Sequence, residues 1–163
     1  MGIALDAMAT QCLSSMTDAH LVYLGLGSNL GDKEARLREA IEHIGKLVGT
    51  VERQSAFYFN APWGFESDNE FVNAVVACST TLSPRQLLST TQRIERMMGR
   101  KKKSKGGVYH DRVIDIDILL YDNLQVDEPD LKIPHPLMWE REFVTIPLAE
   151  VMTTVKELPD DRQ

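Results

Sequence analysis

The chain has 163 residues and a formal net charge of −6, with 43% hydrophobic and 26% charged residues, which is the size of one domain with enough apolar material for a core. No stretch approaches the roughly 20 uncharged apolar residues of a membrane-spanning helix, and Cys12 and Cys78 are too few for a disulfide framework or a cysteine-rich zinc site. Collagen-like, coiled-coil and wholly disordered chains are excluded, and a cytoplasmic protein with no membrane partner is expected.

Residues 1–20, MGIALDAMATQCLSSMTDAH, lack the basic start and unbroken apolar run of a signal peptide, and are expected to be a poorly ordered leader ahead of a single domain over 21–163. Leu21–Leu26 is an apolar run that passes into Gly25-Leu-Gly-Ser-Asn-Leu-Gly31, which predicts a short buried strand and a tight glycine-rich turn. From Asp32 onward Leu37, Ile41, Ile44 and Val48 recur at helical spacing. Asp32 or Asn29 can cap this helix, and Gly49 is placed to end it in the left-handed conformation. Thr50–Phe59 reads as a strand, residues 60–69 are dense in turn formers, and Glu70–Thr80 has the composition of another strand. Ser83-Pro-Arg-Gln86 is a capping box with proline at the first helical position, so a helix should run from Pro84 to about Met98 with Leu87, Thr91, Ile94 and Met98 facing the core. Val113–Tyr121 carries the strongest strand signal. After Gln125 the chain is less regular, with turns around Pro129, Pro134 and Pro136 and a short helix expected over Pro147–Thr153. The βαββαβ order predicts an α+β, ferredoxin-like sandwich, an antiparallel sheet with helices packed on one face.

The net charge hides an asymmetry. Between Arg93 and Arg112 eight Lys or Arg face only Glu95 and Asp111, so this segment carries +6 and the remainder −12. A local basic segment on an acidic chain attracts small anions without making a general nucleic-acid binder, although a solvated lysine loop has the same composition. Beside it stands Val113-Ile-Asp-Ile-Asp-Ile-Leu-Leu-Tyr121. In a strand Asp115 and Asp117 point to one face, with Ile114, Ile116, Ile118 and Leu120 on the other. Two carboxylates about 6 to 7 Å apart repel by roughly 2 to 3 kcal/mol at an effective dielectric of about 20. A solvated strand face tolerates that cost, and divalent cations turn it into an asset. Hard oxygen donors favour Mg²⁺ or Mn²⁺, held by one or two carboxylates together with phosphate oxygens. With Arg112 and the lysine segment adjacent, phosphoryl or pyrophosphoryl transfer is the leading class. The glycine run fits neither G-x-G-x-x-G nor the G-x-x-x-x-G-K-[ST] loop, and a tight turn is its expected role.

Gly25-Leu-Gly-Ser-Asn-Leu-Gly-Asp32, Phe71-Val-Asn-Ala74, Thr91-Gln-Arg-Ile-Glu95, Gly99-Arg100, Arg112-Val-Ile-Asp-Ile-Asp-Ile118 and Ile133-Pro-His-Pro-Leu-Met138, with Glu140-Arg141 and Phe143, resemble the 6-hydroxymethyl-7,8-dihydropterin pyrophosphokinase family over about residues 21–151. The resemblance implies transfer of pyrophosphate from ATP to the hydroxymethyl group of a reduced pterin, in folate synthesis, on a ferredoxin-like fold. It also implies that Asp115 and Asp117 hold two Mg²⁺ ions bound with ATP, and that Arg100 and Arg112 are catalytic. Leu88, Gln92, Glu95, Arg100, Ile118, His135 and Arg141 fall at nucleotide-side positions. Asn60, Trp63, Phe71, Asn73 and Phe143 fall at pterin-side positions, with the two phenylalanines as a stacking pair. The chain departs from the family pattern in having His110 and Asp111 before Arg112 and proline at position 136. A monomer with no nucleic-acid partner is expected. A magnesium-dependent nuclease or nucleotidyltransferase would use the same carboxylates and cations, and a ferredoxin-like nucleic-acid-binding module is the non-enzymatic rival. Arg100–Asp111, with its mutually repelling charges and Gly106-Gly107, is expected to close over the phosphates as a lid.

Overall fold

A computed structural model describes residues 18–60, 70–99 and 113–153. The leader, the expected lid, Trp63, Arg100 and Arg112 lie outside these residues. Strand β1 (His20–Ser28) leads into helix α1 (Lys33–Leu47), followed by β2 (Gly49–Gln54), β3 (Tyr58–Asn60), β4 (Phe71–Thr80), α2 (Pro84–Met97) and β5 (Asp115–Tyr121). A small hairpin, β6 (Val126–Glu128) and β7 (Leu131–Ile133), a 3-10 turn (Met138–Glu140) and helix α3 (Glu142–Thr153) complete the described residues.

The main sheet is antiparallel throughout, in the order β2-β4-β1-β5, with β3 also on β4. The expected strand over Thr50–Phe59 is two strands. β2 pairs with Val76–Thr80 and β3 with Phe71–Asn73 along the same side of β4. At the break, buried Ser55 exchanges bonds with Val75: its N–H donates to the Val75 carbonyl, and its hydroxyl accepts from the Val75 N–H. A residue that meets its backbone needs with its own side chain lets the edge bend without orphaning a buried amide.

Both long helices start as the sequence predicts. The Asp32 side chain accepts from Ala35 N–H, and Ser83 and Gln86 form a reciprocal capping box. The end of α1 differs. Val48 caps it in a right-handed conformation and Gly49 opens β2. Glycine is required there for close approach, since a Cβ would lie 1.9 Å from the Ser79 carbonyl oxygen.

Alternation sorts the strand side chains into two clusters. On the α1/α2 face, Val22, Leu24, Leu26, Val72, Ala74, Val76, Ile116 and Ile118 pack with Leu37, Ile44, Leu87 and Ile94, and with Leu131 and Ile133 of the hairpin. On the other face Tyr23, Val75, Ala77 and Leu119 pack with Met138, Val144, Leu148 and Val151 from the 3-10 turn and α3. The sheet is therefore covered on both faces, whereas helices on one face were expected. α3 begins at Glu142, five residues before its expected start, and carries Pro147 inside. The missing Pro147 N–H removes one helical bond, and burial of Val144, Leu148 and Val151 holds the helix across the gap. Glu150 accepts from Ala56 N–H, and Arg53 donates to the Val151 carbonyl, which ties the end of α3 to the β2–β3 break.

β5 also breaks the expected alternation. Its register with β1 shifts at Tyr23/Leu24, so Leu119 is an extra residue. A bulge of this kind re-aims the side chains beyond it: Leu120 packs against the α3-side cluster, and Tyr121 returns to the other face.

Candidate active site

The α3-side cluster fills only part of its face. Toward the far ends of β1, β4 and β5 it gives way to a cleft partly open to solvent, a concave surface of the kind that takes small molecules. Two rows of paired residues make its floor. Gly27 pairs with Asn73 on one side and Asp115 on the other, and Gly25 pairs with Val75 and Asp117. The middle strand thus contributes bare backbone between an amide wall and a carboxylate wall. Phe71, Leu119, Arg141, Phe143 and Val144 complete the lining.

Each wall has a distinct chemistry. The Asn73 side chain is 5% exposed and donates through Nδ2 to the Asn60 side-chain oxygen. With the amide nitrogen committed there, Oδ1 is the acceptor directed toward Gly27. The half-buried rings of Phe71 and Phe143 border the cleft, and the buried Arg141 guanidinium lies 5.6 Å from the centre of the Phe143 ring. This apolar, aromatic end with a single directional amide suits a flat heteroaromatic ligand.

The other wall is acidic. Asp115 and Asp117 share the cleft face of β5, both half-buried. Among the described residues no three His, Cys, Asp or Glu side chains form a closed metal cage. Two carboxylates with open positions fit a hard divalent ion that completes its shell with phosphate oxygens and water. The outer edge of β5 carries two further expected residues. Glu95, 2% exposed, accepts from Ile116 N–H at 2.7 Å, and His135 donates its backbone N–H to the Leu119 carbonyl at 3.0 Å. The His135 Nδ1 accepts from Leu137 N–H at 3.2 Å. Nδ1 can accept only when unprotonated, so the proton of the neutral ring sits on Nε2. That Nε2 is 3.9 Å from the Asp117 carboxylate.

Phe71, Asn73, Asp115, Asp117, Arg141 and Phe143 therefore meet around one cleft, with Asn60 behind Asn73. Glu95, Ile118 and His135 line the neighbouring β5 edge. The Ile118 side chain is buried in the opposite core, so only its backbone faces outward. Leu88 and Gln92 lie half-buried on α2, across the sheet from the aromatic end, and a ligand touching both groups has to wrap around β5. Gly25, Gly27 and Val144 are lining residues that sequence reasoning missed. Two glycines spaced by two within a predicted strand were the available signal, since such residues share one face. Cys78 adds no thiol chemistry: it is buried, and burial together with Glu52 pushes its pKa up to about 11.

An aromatic–amide end, a carboxylate pair and a ferredoxin-like frame define a phosphoryl-transfer enzyme acting on a flat ring substrate. The chain matches the family described as 7,8-dihydro-6-hydroxymethylpterin-pyrophosphokinase (HPPK) over residues 23–153. A 2-amino-4-hydroxy-6-hydroxymethyldihydropteridine pyrophosphokinase of Porphyromonas gingivalis is 53% identical over 132 residues, 80% of this chain and 90% of the relative. The enzyme of the same name from Bacillus subtilis is 38% identical over 139 residues, 85% of this chain and 81% of the relative. Among solved structures, an HPPK-DHPS in complex with substrates superposes with a TM-score of 0.66 at 14% identity, covering 82% of this chain and 40% of that one. A Plasmodium falciparum HPPK-DHPS triple mutant gives 0.62 at 17%, covering 84% and 42%. The chain spans about two fifths of those longer chains, and at these identities the likeness is one of fold.

The chain belongs to the 7,8-dihydro-6-hydroxymethylpterin-pyrophosphokinase family. It is an enzyme that transfers a pyrophosphoryl group to hydroxymethyldihydropterin in folate synthesis.

Proposed function

We propose that this cleft binds 6-hydroxymethyl-7,8-dihydropterin at its aromatic end and ATP around β5, as a single-domain, monomeric cytoplasmic enzyme. The observation that carries the assignment is the row Asn73–Gly27–Asp115, which sets a ring-reading amide and a phosphate-side carboxylate on the same sheet face two strands apart. Phe71 and Phe143 bracket the ring, and Asn73 Oδ1 accepts from a ring N–H. The hydroxymethyl group then points across β1 toward Asp115 and Asp117.

Asp115 and Asp117 would hold two Mg²⁺ ions bound with ATP, which would neutralise phosphate charge and polarise the phosphorus under attack. The pterin hydroxyl oxygen forms a bond to the β-phosphorus in line with the bond to the α-phosphate oxygen. That bond breaks, AMP departs with its electron pair, and the hydroxyl proton passes to solvent. None of the described cleft side chains is placed as a dedicated base, so positioning and electrostatics carry the rate. The Nε2–H of His135 and the Arg141 guanidinium are donors for phosphate oxygens, and Arg100 and Arg112 supply further positive charge from the basic segment. Leu88, Gln92, Glu95 and the Ile118 backbone form the nucleoside side of the site.

The test is AMP release from ATP and Mg²⁺ with and without the hydroxymethyl pterin. AMP should form in equal amount to the pterin diphosphate and only when pterin is present. Release of ADP, or AMP formation that ignores the pterin, would overturn the assignment and favour a nucleotide hydrolase.

A further inference from the structure

The glycines of the first motif serve different ends. Gly31 has φ +70° and takes the turn into α1. Gly25 and Gly27 lie inside β1, and neither has a left-handed φ. Any L-residue adopts such a backbone, and glycine weakens a strand interior. Conformation therefore does not explain them, and the space around each does. A Cβ on Gly25 would meet the Leu119 side chain at 3.4 Å, an ordinary contact. A Cβ on Gly27 would lie 2.9 Å from Asn73 Oδ1, with its next neighbour, Phe71 Cδ1, at 3.8 Å. The amide cannot yield freely, because its nitrogen is bonded to the Asn60 side chain and the residue is buried in β4.

We infer that Gly27 is a substrate-positioning residue: by carrying no Cβ it lets Asn73 hold Oδ1 at the cleft floor as the acceptor for a ring N–H of the pterin. Gly25 has no such duty, although both glycines line the cleft. The inference rests on the assignment of the aromatic end to the pterin. It places part of the ring specificity on a residue with no side chain, acting through the amide beside it.

The experiment is a double-mutant cycle on the full chain, with Gly27→Ala, Asn73→Ala, the combined variant and, as a control on α1 away from the cleft, Gly45→Ala, whose added Cβ would meet nothing within 4 Å. The readouts are dihydropterin dissociation constants from pterin fluorescence, KM for ATP, and Tm. Gly27→Ala should raise the pterin dissociation constant at least tenfold with KM for ATP within twofold of wild type, and Gly45→Ala should stay within threefold on both. In the Asn73→Ala background, Gly27→Ala should cost no further pterin affinity, because the atom it would strike is gone. Should Gly27→Ala alone fail to fold, the combined variant should fold, since its Cβ then has room. An effect of Gly27→Ala under threefold, full additivity with Asn73→Ala, or a combined variant that also fails to fold while Asn73→Ala folds would overturn the inference. Undiminished pterin binding by Asn73→Ala would instead remove the pterin from this end of the cleft.

Discussion

The two faces of the sheet are made from the same strands and do opposite things. On the α1/α2 face the outward positions are Val22, Leu24 and Leu26 on β1, Val72, Ala74 and Val76 on β4, and Ile114, Ile116 and Ile118 near and along β5, all buried among helix side chains. One residue along, the other face reads Tyr23, Gly25, Gly27; Phe71, Asn73, Val75; Asp115, Asp117, Leu119. Three of that second set, Tyr23, Val75 and Leu119, pack with the α3-side cluster, and the other six line the cleft. A period of two lets a single strand contribute one face to stability and the other to chemistry, so neighbouring residues can differ wholly in what their loss costs.

The sharpest way to break this comparison is to change adjacent residues of β5. Asp117→Ala should lower Mg²⁺-dependent turnover by three orders of magnitude or more, about 4 kcal/mol of transition-state stabilisation, with Tm unchanged or slightly higher because one of two facing carboxylates is gone. Near-normal turnover measured by AMP release would remove Asp117 from the site. Its neighbour should behave in the opposite way. Ile116→Ala empties a buried position 2% exposed and should cost about 2 to 5 kcal/mol of folding free energy, read as a lower urea midpoint. Turnover of the fraction still folded should hold within a fewfold.

Phe143→Ala sharpens the same comparison within the cleft face. The ring borders both the cleft and the α3-side cluster, and its stacking is worth about 0.5 to 1.5 kcal/mol beyond area burial. The pterin dissociation constant should rise about tenfold and KM for ATP should hardly move; equal loss of both ligands would mean that Phe143 acts through the fold.

The smallest effect belongs to the far edge of the α1/α2 face. Arg85 bonds both Asp130 and Glu128 and so joins α2 to the β6–β7 hairpin, and Lys132 bonds Asp127. Hydrogen bonds from these cations hold the Asp130 and Asp127 carboxyls below their ordinary range. A lowered carboxyl pKa adds stability that is present above about pH 4 and lost as the pH falls through the folded-state value. These pairs are exposed and screened, so Arg85→Ala should change the pH 7 Tm barely above measurement scatter. The difference from wild type should shrink as the pH falls below about 4.

Much of this was legible in the sequence because it rests on local rules. The caps at Asp32 and Ser83, the helix over Pro84–Met97 and the shared face of Asp115 and Asp117 follow from spacing and side-chain chemistry between residues a few positions apart. The family motifs carried the remaining site residues, and the structure gathers Phe71, Asn73, Asp115, Asp117, Arg141 and Phe143 at one cleft. What escaped the sequence depends on contacts between residues distant along the chain. Gly49 looked like a helix stop, but its absent side chain answers to the Ser79 carbonyl on another strand. Pro147 looked like a helix start, but burial of Val144 and Leu148 under the sheet extends α3 past it. The Leu119 bulge follows from the pairing register of β5 with β1, which no alternation within β5 reveals. Gly27 is the clearest case. The sequence determined that it is glycine and that it shares a strand face with Gly25. Only the pairing of β1 with β4 put Asn73 within 2.9 Å of where a side chain would stand, because steric exclusion acts through space and strand partners are chosen by the whole sheet.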